Sequence, residues 1–234
     1  MEIFYSKQLV ISTECVLDEN ESSHLVNSLR KRNGDDIQLT DGNGKLYEAI
    51  IVQNHAKKCV VKVTKLMKEV KSEFPYELHL AIALTKNMDR FEYFVEKAVE
   101  IGITTITPLL CEKSERKILN NARIDKIALS AMKQSGSLFL PEICDLTTFN
   151  DFILTNSKSV KLICVCSGER ELLEHSILRN ERNIVMVGPE GDFSLNEISF
   201  AALHQSRMIS LGEKRMRVET AGVYVCSVFN MMHH

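Results

Sequence analysis

Two loops in this chain have residue types and spacing suited to chemistry. The first is Gly188-Pro189-Glu190-Gly191-Asp192-Phe193, directly after the apolar run Ile184 to Val187. Its glycines let backbone N–H and C=O groups come close to a ligand, and Pro189 stiffens the turn. The second runs from Leu211-Gly212 through Glu213, Lys214, Arg215, Met216, Arg217 and Val218 to Glu219-Thr220. It carries three cations and two carboxylates just before a long apolar helical stretch. Helix N-termini favour anions. Taken singly, a glycine-rich turn is most often only a turn, and a charged loop most often a solvated face. Both loops, however, follow strands, and in an open α/β sheet ligands bind beyond the carboxyl ends of the strands. Neighbouring strands would bring the two loops into one cleft.

Other nucleotide and hydrolase signatures are missing. Gly42-Asn43-Gly44-Lys45 has part of a phosphate loop, but the motif's upstream Gly is absent and Leu46 replaces the Ser or Thr, so a hairpin turn explains it better. No GxGxxG, GxSxG or HExxH occurs. The seven cysteines are scattered without a CxxC pair, which argues against a disulfide framework, a zinc site or any metal. Cys164 and Cys166 share one strand face and read as small buried hydrophobes.

The elements that must carry these loops are legible from composition and period. The chain has 234 residues, 44% hydrophobic and 26% charged, enough for one large or two small globular domains with a real core. Lys+Arg 29 against Asp+Glu 31 leaves a net charge of −2, so contact with a polyanion would need a local patch of cations. No apolar run approaches the ~20 residues of a membrane span, and the first ten residues lack a signal-peptide layout. The expected setting is cytoplasmic, with reduced thiols.

Before residue 72, short apolar alternations predict a small β domain. Ile37 and Leu39, the turn Asp41-Gly42-Asn43-Gly44, and Leu46 to Val52 make a hairpin; Cys59 to Val63 is a further strand, and His24 to Lys31 a helix. Val70 to Pro75 reads as a linker, giving domains at 1–72 and 73–234. Beyond it, strand and helix alternate. Leu78 to Leu84 is a strand buried on both faces. Phe91, Phe94, Val95, Ala98 and Ile101 lie on one helix face, closed by Gly102. Ile103 to Leu110, Val160 to Val165, Ile184 to Val187 and Met208 to Leu211 predict further strands. Ile124 to Ala131, Ser194 (capping box with Glu197) to His204, and Thr220 to Met231 predict helices. The fold class is α/β with a parallel sheet.

At the two loops the sequence resembles a known family. Gly188 to Ser194 (GPEGDFS), Leu211-Gly212 and Arg217-Val-Glu-Thr-Ala221 are similar to the hallmark motifs of the 16S rRNA (uracil-N3)-methyltransferases, the RsmE family of SPOUT enzymes. Further blocks agree: His24 to Arg30, Lys97 to Ile103 with Thr107-Pro108, and Gln134-Ser135 with Pro141-Glu142-Ile143. The resemblance spans essentially the whole chain in order. It implies a small N-terminal PUA-like RNA-binding β-barrel and a C-terminal SPOUT α/β domain whose parallel sheet carries a deep trefoil knot. It also implies S-adenosyl-L-methionine as cofactor, a homodimer through the SPOUT domain, and 16S rRNA of the small ribosomal subunit as partner. The apolar positions Val223, Val225, Val228, Phe229 and Met232 of the last helix suit a dimer or, equally, a buried core helix.

By the same resemblance, the cofactor contacts are Cys166, Gly168, Gly188, Glu190, Gly191, Leu211, Gly212, Met216, Arg217 and Thr220. The loop after Val165 forms a third wall. Methylation at a uridine nitrogen requires loss of the N3 proton, so a base or a stabiliser of the uracil anion is needed. Arg217, Glu219 and Glu190 are the candidates, with Arg217 as the fork of donors and Glu219 as base or orienter. Glu219 also sits where a carboxylate would simply cap the last helix. The RNA candidates are Arg30, Lys31, Arg32, Lys86, Arg90, Lys113 and Lys117. The sequence departs from the family pattern at Asp192 (usually Gly), Lys113 and Lys214 (usually Arg), Lys133 (commonly Glu) and Ser137 (usually Arg). The rival readings are a SPOUT methyltransferase acting on tRNA and a non-catalytic RNA-binding assembly factor.

Overall fold

The computed structural model describes residues 2–71, 76–178 and 182–233. Ser72 to Pro75, which hold the expected domain boundary and most of the linker, lie outside the described residues. The chain divides into two units, one of residues 1–73 with 132–140, the other of residues 74–131 with 141–234.

The first unit is a five-stranded sheet. Its elements are β1 (Ile3–Tyr5), β2 (Glu14–Val16), α1 (Glu19–Ser23), β3 (Asp36–Thr40), β4 (Lys45–Gln53) and β5 (Val60–Glu69). The strand order is β1-β3-β4-β5-β2, antiparallel except where β1 pairs with β3. Alternation along β3 and β4 turns Ile37, Leu39, Tyr47, Ala49 and Ile51 inward, where they pack with Phe4, Leu25, Val61 and Val63. The expected hairpin joins β3 to β4. Its Gly44 has φ +91°, and a Cβ there would stand 2.1 Å from the carbonyl oxygen of Val70, so no other residue fits.

The helix expected from His24 begins earlier. Asp18 caps it, its carboxylate accepting the Glu21 N–H at 2.8 Å. After Ser23 the turn widens into a π-helical segment, His24–Ser28, and ends before Arg30, whose φ is +54°. Residues 29–31 are therefore not helical. Residues 132–140, far along in sequence, belong to this unit as well. The Gly44 N–H donates to Leu138 O at 2.9 Å, the Leu140 N–H to Gly42 O at 2.9 Å, and Lys133 pairs with buried Glu21. The lysine at position 133 thus has a structural partner inside the unit. A boundary drawn at 72 alone leaves this segment out.

The second unit is built on an eight-stranded sheet in which every pairing is parallel. Its first half holds β6 (Glu77–Ala83), α2 (Met88–Ile101), β7 (Thr105–Leu110), α3 (Asn121–Ser135, the last turn of which groups with the first unit), β8 (Glu142–Ile143) and β9 (Thr147–Thr148). It continues with α4 (Phe149–Thr155), β10 (Lys161–Cys164), β11 (Glu171–Leu172), α5 (Leu173–Ser176), β12 (Arg182–Val187), α6 (Leu195–Leu203), β13 (Ser206–Ser210) and α7 (Val218–His233). The order β11-β13-β10-β12-β6-β7-β8 places β10 between β12 and β13, with β9 beside β7. The central strands β6, β10 and β12 are buried almost throughout, as their mostly apolar runs require. Asn87 caps α2, and Gly102, at φ +115°, ends it. Ser194 and Glu197 form both arms of the capping box of α6.

Helix α7 lies against α2 and β6. Val225, Cys226 and Phe229 are buried, so most of its apolar face is core within this unit, while Met231 is exposed and Val223, Val228 and Met232 are half-buried. Gly222 allows the close approach. A Cβ there would stand 2.5 Å from the ring of Phe94 and 2.9 Å from Ile82 Cδ1, both fully buried. Gly222→Ala is expected to destabilise this unit by about 1–3 kcal/mol. A thermal melt reads this as a fall of several degrees; an unchanged midpoint would show that the α2–α7 seam has slack.

Candidate active site

Strands β13, β10 and β12 are neighbours, and being parallel they send their following loops to the same edge. The three loops, Val165 to Arg170, Gly188 to Phe193 and Leu211 to Arg217, meet there. Between them is a cleft of about 390 Å³, within the range of small-molecule sites. One wall is apolar, made by Val165, Val187, Pro189, Leu211, Met216, Val218 and Ala221. The charged lining comes from Arg170, Glu190, Asp192, Glu213, Lys214 and Arg215.

Each loop has a local reason for its shape. Gly188 packs under Phe193, where a Cβ would meet the ring at 3.0 Å. The Asp192 N–H closes the turn onto Pro189 O at 2.9 Å, which drives Asp192 to φ +61°. This explains why a glycine would suit the position. Gly212 has φ +117° and open space around its Cβ position, so backbone conformation, not packing, demands glycine there.

The expected cofactor residues divide accordingly. Cys166, Gly188, Glu190, Leu211, Gly212 and Met216 line the cleft; Gly168, Gly191, Arg217 and Thr220 are not among its lining residues. The reason at α7 is helical phase. Val218 and Ala221, three residues apart, turn toward the cleft, so the positions between them point elsewhere. Thr220 and Arg217 are exposed, and Arg217 opens α7 through its carbonyl, which accepts the Ala221 N–H at 2.8 Å.

Of the candidate catalytic groups, only Glu190 lines the cleft. Its Oε1 accepts the Lys86 N–H at 3.0 Å, tying this loop to the one after β6. Glu219 is buried, 8% exposed, and its Oε1 lies 3.8 Å from Arg90 Nε. That geometry makes it an anchor between α7 and α2.

Several expected RNA cations also have intramolecular partners. Lys113 Nζ donates to Gly191 O at 2.9 Å and Phe193 O at 3.1 Å, bracing the glycine loop from below. Lys86 Nζ pairs with Glu115 at 2.9 Å, and Arg90 with Glu219. Lys117 and Arg32 are exposed, as is Arg30 on its left-handed turn, and Lys31 Nζ reaches Asp36 O at 3.3 Å.

Sequence reasoning passed over Arg170, Arg215 and the contact role of Asp192. The signal for all three was only their place inside the loops. All seven thiols are free, and among the described residues no three His, Cys, Asp or Glu side chains converge as metal ligands. No helix among the described residues is long and apolar enough to cross a membrane.

Comparison with known proteins agrees with this architecture. The RNA methyltransferase domain family matches residues 72–230, and the RNA methyltransferase PUA domain family matches residues 17–64. Ribosomal RNA small subunit methyltransferase E of Rickettsia conorii is 28% identical over 94% of this chain and 91% of its own. A "probable rRNA-methyltransferase" of Porphyromonas gingivalis superimposes with a TM-score of 0.89 at 32% identity, covering 100% of this chain and 98% of that one. Ribosomal RNA small subunit methyltransferase E of Neisseria gonorrhoeae, bound to S-adenosyl methionine, superimposes with a TM-score of 0.83 at 26% identity, covering 99% and 98%. Two loops of matching chemistry, a third wall between them, a PUA-type first unit and full-length relatives lead to one conclusion: the chain belongs to the ribosomal RNA small subunit methyltransferase E family of RNA methyltransferases.

Proposed function

We propose that this protein methylates N3 of a uridine in the 16S rRNA of the small ribosomal subunit, using S-adenosylmethionine. The observation that carries the reading is the cleft itself, built from three loops at the carboxyl edge of a parallel sheet, in a chain whose relatives, matched along nearly their whole length, are named ribosomal RNA small subunit methyltransferase E. The residues present fit the cofactor. A slot walled by Val165, Val187, Leu211 and Met216 suits an adenine ring, and charges of both signs at the lining suit an amino-acid zwitterion. Gly188 and Gly212 bring backbone groups close without side chains in the way. When bound, S-adenosylmethionine supplies an electrophilic methyl group on a sulfonium.

The protein's own groups do the rest. Glu190, a carboxylate of the cleft lining, accepts the N3 proton. Arg217, exposed where α7 begins, presents its donor fork to the uracil oxygens and stabilises the anion that proton loss creates. Glu219 orients the start of α7 through Arg90. Arg30, Lys31, Arg32, Lys86 and Lys117 hold RNA phosphates, which makes affinity fall with salt. The three loops belong to a trefoil knot, and a second copy of the chain packs on the exposed edge of α7 around Met231. An rRNA substrate places the enzyme in the cytoplasm.

The test is methyl transfer from labelled S-adenosylmethionine to small-subunit particles and, separately, to tRNA, followed by digestion to nucleosides. The expected product is 3-methyluridine from the particles, with Arg217→Ala slower by at least about 100-fold. Label in tRNA alone would assign another RNA, and no label with no cofactor binding would make the protein a binding factor.

A further inference from the structure

Asp192 holds a left-handed conformation, φ +61°, that residues with a Cβ adopt rarely, Asp and Asn being the usual exceptions. Both oxygens of its carboxylate are engaged. Oδ1 accepts the Phe193 N–H at 2.8 Å, within its own loop, and Oδ2 accepts the Cys166 N–H at 3.0 Å, from the loop that follows β10. Arg215, of the loop that follows β13, lines the same cleft, its positive charge acting on the Cys166 thiol against that of the Asp192 carboxylate. All three residues line the cleft. The Asp192–Cys166 bond thus joins two of the three walls directly.

We infer that Asp192 is a positioning residue, whose carboxylate pins the Cys166 loop to the glycine loop and so sets the width of the cleft before any ligand arrives. Without the pin, the Cys166 to Arg170 wall is held by the strands at its two ends, β10 and the short β11. Residues 166–170 are all exposed, so little burial restrains them. The loop must then be ordered when the ligand binds, which weakens affinity. The inference rests on the proposed use of S-adenosylmethionine for its binding half, whereas the pin itself can be measured without ligand.

Two variants test it. Asp192→Gly deletes the acceptor while relieving the left-handed backbone, so its melting temperature should not fall. Asp192→Asn keeps an acceptor oxygen and the tolerance for positive φ. Amide hydrogen exchange on the ligand-free protein should show the segment 165–170 exchanging about tenfold faster in Asp192→Gly, as expected for one hydrogen bond to a charged group, and close to wild type in Asp192→Asn. Calorimetric titration with S-adenosylmethionine should give a Kd about tenfold weaker for Asp192→Gly and within about threefold of wild type for Asp192→Asn. Unchanged exchange and Kd in Asp192→Gly would overturn the inference. Wild-type protein that fails to bind S-adenosylmethionine would instead overturn the proposed function and the binding half of the inference, even with faster exchange in the glycine variant.

Discussion

Gly188→Val is expected to weaken S-adenosylmethionine binding by about 100-fold, measured by calorimetry against the wild-type chain. A Cβ at 188 would stand 3.0 and 3.1 Å from two ring carbons of Phe193 and 3.1 Å from its backbone nitrogen. Valine adds two methyl groups beyond that point. The ring has nowhere to go: Phe193 is 2% exposed and packs on Phe149, with ring centroids 5.1 Å apart, in the core that also holds Ile184 and Met186. The strain of such overpacking is about 1–3 kcal/mol. The loop can relieve it only by rising into the cleft. Because the core beneath is buried and the tip of the loop, Glu190 and Gly191, is exposed, the loss should fall on affinity more than on melting temperature. A variant that melts lower yet binds as well as wild type would mean that the core, not the loop, had yielded.

The second large effect is a pH dependence seated away from the cleft. His79, on β6, is 4% exposed. Its Nδ1 faces Arg182 Nη2 at 2.8 Å, and its Nε2 faces Thr107 Oγ1 at 2.7 Å. A guanidinium can only donate, so Nδ1 accepts and Nε2–H donates to the threonine. Burial, then the charge of Arg182, pushes the imidazole pKa down to about 4. The unfolded chain takes up a proton near pH 6.5, whereas the folded one resists until about pH 4. Stability from this group is therefore complete above pH 6.5 and is lost as pH falls toward 4. At 1.4 kcal/mol per pH unit the window is worth about 3 kcal/mol. Urea unfolding at pH 7 and pH 4 should show this loss in wild type, and a smaller loss in His79→Gln, which cannot titrate. Equal losses in the two proteins would refute the neutral, buried imidazole.

Much of the fold was legible in the sequence because it is written in local physics. The hairpin between β3 and β4 follows from alternation and from glycines that accept positive φ. The long helix α2 follows from the spacing of Phe91, Phe94, Val95 and Ala98 and from the capping glycine. The start of α6 follows from one Ser–Glu pair. Most of what went unread has little local signature. β1, β2, β8, β9 and β11 are two or three residues long, too short to show a period, and exist because neighbouring strands supply their hydrogen bonds. The first helix was expected at His24 and not at Glu19 because its first turn is polar, and only the Asp18 cap announces it; α4, with its Thr148 cap and buried Phe149, Phe152 and Ile153, carries a local signature that also went unread.

For the site, the sequence by itself determined which segments can approach a ligand: the glycines, the proline and the charged run are properties of those residues wherever the loops lie. Tertiary structure decided the rest. Pairing of β10 with both β12 and β13 is a contact between segments distant in the chain, and it turns three separate loops into one cleft. The phase of α7, set by packing Gly222 on Phe94, turns Val218 and Ala221 inward and leaves Arg217 and Thr220 outside. Asp192, a departure from the glycine pattern, acquires a partner only because Cys166 is carried to within 3.0 Å by the neighbouring strand. Residue type sets what a group can do, but its partner is set by hydrogen bonds and packing between distant segments, which no local spacing encodes.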